Sequence, residues 1–111
     1  MSETPIEIDC VSTKALLEAG GDFLLLDCRE PDEYATVRIE GARLLPMSEL
    51  AARVAELAAS KDHAVVVHCH HGGRSLRVAQ WLRNQGFSKA QSMAGGIDQW
   101  AQEIDPSLPR Y

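Results

Sequence analysis

Apolar positions along the chain fall into two kinds of stretch that take turns. Phe23-Leu24-Leu25-Leu26-Asp27 and Ala64-Val65-Val66-Val67-His68 are short continuous runs, the pattern of parallel strands covered on both faces. Ile6-Glu7-Ile8, Ala42-Arg43-Leu44-Leu45 (closed by Pro46) and Ala90-Gln91-Ser92-Met93 predict three lesser strands. Between them lie stretches with helical spacing. Residues 11–19 predict a helix with Ser12 as N-cap, Val11 and Leu16 as a hydrophobic staple, and Gly20 as the stop. Glu30-Pro31-Asp32-Glu33-Tyr34 opens a short helix with proline in its first turn. Ser48 caps a helix over 48–59 with Leu50, Val54 and Leu57 on one face. A later stripe of Val78, Ala79 and Leu82 lies opposite Arg77, Gln80 and Asn84, and Gly86-Phe87 supplies a Schellman stop. Gly95-Gly96 breaks the chain before a helix carrying Ile97 and Trp100. The tail over 105–111 has two prolines and no period, so it is expected to be irregular and to run along the surface.

This alternation, without internal repeat or linker, predicts an α/β fold: a mostly parallel sheet with helices on both faces. The 111 residues suit one domain over 1–111, with its core at about 5–105. Hydrophobic residues make up 45% and charged residues 24%, as in ordinary globular proteins. A net charge of −5 argues against a general nucleic-acid binder. Three cysteines with no disulfide framework point to a reducing compartment. Met1-Ser2-Glu3-Thr4-Pro5-Ile6-Glu7 has neither a basic nor an apolar signal region, and no apolar stretch reaches membrane-spanning length. The expected location is the cytoplasm, with no membrane and no nucleic acid as partner.

Candidate chemistry gathers at the carboxyl ends of the strands, where open α/β sheets bind ligands. Asp27-Cys28-Arg29, Cys69 and Gly95-Gly96 each follow a strand and belong on one edge. His68-Cys69-His70-His71-Gly72-Gly73-Arg74-Ser75 reads as strand, loop and helix start. Amides in such a loop and at a helix N-terminus can converge on a thiolate, the two glycines permit a tight turn, and Arg74 adds positive charge. Arg74 is read as binding an anionic donor or as anchoring the loop through carboxylate contacts. Asp27 and Arg29 lean to one side of the strand and read as a supporting ion pair. Cys28 reads as packing, with a resolving thiol as the alternative, and Cys10 as incidental. Trp81 and Trp100 are assigned to packing. Arg38, Arg74, Arg77 and Arg83 are expected to form a positive rim. Adjacent histidines seldom supply a tetrahedral set, so neither a metal nor a cofactor is expected.

Three segments resemble the rhodanese-like sulfurtransferase family in its single-domain form. They are Leu26-Asp27-Cys28-Arg29-Glu30-Pro31-Asp32-Glu33-Tyr34 with Arg38-Ile39-Glu40-Gly41-Ala42, then Cys69-His70-His71-Gly72-Gly73-Arg74-Ser75, then Ala94-Gly95-Gly96-Ile97 with Trp100. The resemblance implies a five-stranded parallel sheet and a cysteine, Cys69, that becomes a persulfide. Sulfane sulfur would pass from an anionic donor such as thiosulfate to Cys69, then to a thiophilic acceptor such as cyanide, a thiol or a sulfur-accepting protein. His70, His71, Gly72, Gly73, Arg74 and Ser75 match the active-site loop, and Asp27 and Arg29 match a supporting pair. His70 and His71 depart from the fixed basic residues of the double-domain thiosulfate enzymes, which makes donor binding sensitive to pH.

Two other readings share part of this pattern. A cysteine phosphatase or arsenate reductase also sets a cysteine, a loop and an arginine before a helix, but its family pattern has five intervening residues. Here His70, His71, Gly72 and Gly73 make four, a ring better sized for one sulfur. A sulfur carrier or docking module would keep Cys69 yet deliver its sulfur to a partner protein.

Overall fold

The strongest apolar runs form the centre of the molecule. In the computed structural model, which describes residues 4–111, five parallel strands form one sheet. They are β1 (Glu7–Ile8), β2 (Phe23–Asp27), β3 (Arg43–Leu44), β4 (Ala64–His68) and β5 (Ala90–Met93), in the order β1-β5-β4-β2-β3. Val65, Val66 and Val67 of β4 are fully buried, because this central strand is covered on both faces. Each such side chain contributes roughly 1.5–3 kcal/mol through burial.

Helices cover both faces. Helix α1 (Cys10–Ala19) and α5 (Gly96–Glu103) pack over Leu25, Val66 and Met93, while α3 (Leu50–Arg53) and α4 (Gly73–Asn84) pack over Leu26, Val65 and Val67. Helix α2 (Pro31–Thr36) begins with proline and a capping box between Glu30 and Glu33. Helix α4 ends in the expected Schellman stop: Phe87 N–H donates to Leu82 O at 3.0 Å and Gly86 N–H to Arg83 O at 3.2 Å.

Two expected elements differ. The N-cap of α1 is Asp9, whose carboxylate accepts the Ser12 amide at 2.7 Å. Starting the helix earlier buries Cys10 and leaves Val11 60% exposed, so Val11 forms no staple. The helix expected over 48–59 is α only at its centre; 3-10 turns occupy Met47–Glu49 and Val54–Ser60. Val54, Leu57 and Ser60 are the inward positions of the second turn. That three-residue spacing matches a 3-10 helix better than an α-helix. Ser48 does not cap it and donates its hydroxyl to Glu30 instead, at 2.8 Å. Among the described residues no helix is long and apolar enough to cross a membrane.

Candidate active site

Strands β2 and β4 pair in register, with Asp27 opposite His68 at their carboxyl ends. One step further, Cys28 N–H donates to His68 O at 3.1 Å, which sets Cys28 beside Cys69. Both cysteines are 1% exposed and enter the core under α3 and α4.

Beyond Cys69 the chain turns through Gly72, at φ 107°, a left-handed conformation that favours glycine, and enters α4. The turn aims two amides at the sulfur: Gly72 N–H reaches Cys69 Sγ at 3.1 Å and Ser75 N–H at 3.3 Å. The Ser75 hydroxyl lies 3.4 Å from the same sulfur and 2.7 Å from the Ser92 hydroxyl, both serines being fully buried. With Cys69 ionised, Ser92 donates to Ser75 and Ser75 donates to the thiolate.

The outer side of the loop is held by α5. Ile97 N–H donates to Cys69 O at 2.8 Å and Asp98 N–H to His70 O at 3.1 Å. Helix N-terminal amides lack partners within their own helix. Here they take up loop carbonyls, so the loop can turn its own amides inward. Gly96 makes this approach possible, because a Cβ there would collide with the carbonyl oxygens of Cys69 and His70.

These contacts favour charge on Cys69. Its thiol lies well below the ordinary range through the hydrogen bond from Cys28, the Ser75 hydroxyl and the Ser75 and Gly72 amides, against the opposing effect of burial. Cys28 is pushed the other way by the same hydrogen bond and by burial. The negative charge belongs on Cys69, since the amides converge there.

A polar network lies beside this centre. Arg29 and Asp27, both fully buried, form a forked pair at 2.6 and 2.9 Å. Arg29 also donates to Val37 O at 2.6 Å and to Tyr111 Oη at 2.9 Å. Tyr111 in turn donates to Glu33 at 2.7 Å, and Glu33 receives Arg74 through two bonds of 2.7 and 2.9 Å. The Arg74 pairing holds the Glu33 carboxyl down at about 2, against burial and with help from Tyr111. His68, fully buried and 3.7 Å from Asp27, is held below its usual pKa chiefly by burial, so it stays neutral. His70 stacks on both His71 (3.9 Å) and Tyr111 (3.8 Å). His70, His71 and Asp98 cluster closely enough to suggest a metal site. The two imidazoles stack rather than converge, and Asp98 already pairs with Arg110.

The rhodanese-like domain family matches residues 11–103 of this chain. The chain belongs to the rhodanese-like family. Thiosulfate sulfurtransferase GlpE of Stutzerimonas stutzeri is 38% identical over 86 residues, covering 78% of this chain and 75% of the relative. Adenylyltransferase and sulfurtransferase MOCS3-2 of Zea mays is 35% identical over 109 residues, but the chain spans only 23% of its length. The human single-domain sulfurtransferase TSTD1 superposes with a TM-score of 0.78 at 26% identity, over 89% of this chain and 97% of that one.

This rhodanese-like site collects the whole segment from Cys69 to Ser75, with Asp27 and Arg29 behind it. It does not collect the expected positive rim. Arg83 sits in the last turn of α4, bonded to Ala90 O and Pro5 O at the opposite edge of the sheet. Arg38 lies over the Tyr34 ring. The tail is irregular and runs along the surface, as expected, and its Tyr111 reaches the site. Sequence reasoning missed Glu33, Ser92, Asp98 and Tyr111 as site neighbours. Glu33 carried a signal, an acid in the first turn of a helix that follows the Asp27 strand. Tyr111 carried none, because an irregular tail has no period to read.

Proposed function

We propose that this rhodanese-like chain is a sulfurtransferase in which Cys69 carries sulfane sulfur as a persulfide, from thiosulfate or another persulfide donor to a thiophilic acceptor. The convergence of the Gly72 and Ser75 amides on Cys69 Sγ carries this reading. The Cys69 thiolate attacks the outer sulfur of thiosulfate. A sulfur–sulfur bond forms at Sγ, the bond to the sulfonate sulfur breaks, and sulfite leaves with the electron pair. Cyanide or a thiolate then attacks the outer sulfur and returns the Cys69 thiolate. Amide dipoles fixed before the reaction stabilise both anionic states without reorganising. Asp27 and Arg29 hold the strand end, and Arg74, tied to Glu33, fixes the start of α4 and keeps positive charge near the sulfur. The GlpE relative supports thiosulfate as donor. His70 and His71 follow the cysteine in the loop, where His70 stacks between His71 and Tyr111.

The test is a donor panel of thiosulfate, mercaptopyruvate, glutathione persulfide and a desulfurase, scored by intact mass. Wild type gains one sulfur atom on Cys69 and Cys69→Ser gains none. Absence of added sulfur with every donor overturns the proposal. Hydrolysis of p-nitrophenyl phosphate is expected to stay at background.

A second reading is favoured by the maize relative, in which the matched segment is 23% of a longer adenylyltransferase and sulfurtransferase. Delivery to a partner protein would appear as a copurifying thiolated protein and as slow turnover with cyanide.

A further inference from the structure

Cys28 is a second thiol at the reacting centre that the proposed reaction leaves unused. It stands one register step beyond the Asp27–His68 pair, directly beside Cys69 on the neighbouring strand. Strands lie about 4.7–4.9 Å apart, inside the Cα separation of roughly 4.4–6.8 Å that a disulfide bridges. Both side chains enter the same core cluster, and all three cysteines of the chain are free thiols. At 1% exposure Cys28 is shielded from solvent. The sulfur within its reach is that of Cys69.

We propose that Cys28 is a resolving thiol, which attacks Sγ of the Cys69 persulfide, closes a Cys28–Cys69 disulfide and expels the outer sulfur as hydrosulfide. The inference rests on Cys69 carrying sulfane sulfur, as proposed above. In the step the bond between the two cysteine sulfurs forms, and the bond from Cys69 Sγ to the outer sulfur breaks. The electron pair goes to the outer sulfur and the Cys28 proton follows it. The outer sulfur is reduced to sulfide, the Cys28 sulfur is oxidised to the disulfide level, and no further oxidant is consumed.

Charge decides when this happens. The Gly72 and Ser75 amides converge on Cys69 Sγ and none is aimed at Cys28, so an unloaded site keeps its negative charge on Cys69 and leaves Cys28 as the less nucleophilic thiol. Loading moves the negative charge out to the terminal sulfur, which then becomes an acceptor for the Cys28 proton. Resolution therefore competes with the external acceptor. It empties a loaded site that finds none and leaves Cys69 in a form that a dithiol reductant reopens.

The experiment loads wild type and Cys28→Ser with thiosulfate, without oxygen or acceptor, and follows intact mass and free sulfide. Cys28→Ser should hold the added sulfur. Wild type should lose it about tenfold faster or more, as an intramolecular step does. The rate should be independent of protein concentration, with one equivalent of sulfide and a linked Cys28–Cys69 peptide. Equal persulfide lifetimes in the two proteins, with no linked peptide, overturn the inference while leaving sulfur transfer intact. If neither protein takes up sulfur, the proposed function fails instead. Hydrogen peroxide then decides the pairing, since it oxidises Cys69 to a sulfenic acid that Cys28 would close to a disulfide with loss of water. A linked peptide supports the pairing, and an unlinked, further oxidised Cys69 overturns it. Cys28→Ala replaces the serine variant if circular dichroism shows that serine does not fold.

Discussion

Ser75 serves the sulfur twice, through its amide and through its hydroxyl. Ser75→Ala keeps the first contact and removes the second, so the thiolate loses a donor and its pKa rises. One unit, or about 1.4 kcal/mol, is the expected size. Iodoacetamide labelling of Cys69, followed by mass against pH, should show its midpoint displaced toward higher pH. An unmoved midpoint would count against the hydroxyl. Glu33 gives a second test with a definite sign. Its carboxyl falls from the ordinary 4.5 to about 2 on pairing with Arg74. A depressed pKa contributes stability above the unfolded value, and that contribution disappears as pH falls from about 4.5 toward about 2. Glu33→Gln should therefore lower stability at neutral pH and flatten the acid limb of a urea-denaturation series over that window. Arg74→Ala removes the charge near the donor and should raise the thiosulfate KM by roughly tenfold, with a smaller change in kcat. A KM left at the wild-type value would restrict Arg74 to holding the loop.

At the scale of elements, the pattern of apolar residues was most informative where tertiary context least disturbs it. Strands β2 and β4 and the end of α4 were legible because each depends on local signals: a continuous apolar run, or a glycine followed by an apolar residue. The start of α1 was not, because Asp9 and Ser12 are both good caps and the burial of Cys10 selects between them. The 3-10 turn over Val54–Ser60 was not legible either, since Leu50, Val54 and Leu57 together fit one face of an α-helix while the Val54–Leu57 spacing alone also fits a 3-10 turn. The docking of α5 on the Cys69–Ser75 loop makes a sharper prediction. Gly96→Ala meets carbonyl oxygens, which belong to backbone and cannot swing aside, at a φ of 62°. A cost of about 1–3 kcal/mol is expected. Sulfur loading of Cys69 should fall more than the urea midpoint does, because the loop turns outward before the core opens.

For the whole molecule, strand order is what the chain conceals. The sequence places Asp27, Cys69 and Gly95 each after a strand, and all three do lie at one edge. It does not say that β2 adjoins β4, so the contact between Cys28 and Cys69 stays hidden until the register is known. The same holds for Tyr111, brought to His70 across the fold. Cys69 is 1% exposed with this stack in place, while Arg110 ties the tail to Asp98 at 2.9 Å. Tyr111→Ala should raise the rate of Cys69 alkylation several-fold at fixed pH. An unchanged rate would show that entry lies elsewhere. The exposed Arg110–Asp98 pair weakens in salt, so wild-type labelling should quicken with ionic strength and the variant's should not.

The bonds from Ile97 and Asp98 to the Cys69 and His70 carbonyls join the start of this loop to residues that a ribosome adds nearly thirty positions later. A nascent chain that has reached only α4 holds the cysteine but not the backbone that arranges its surroundings. The Gly72 and Ser75 donors to the sulfur are already present at that stage, and the last helix adds the two backbone clamps that close the loop from outside.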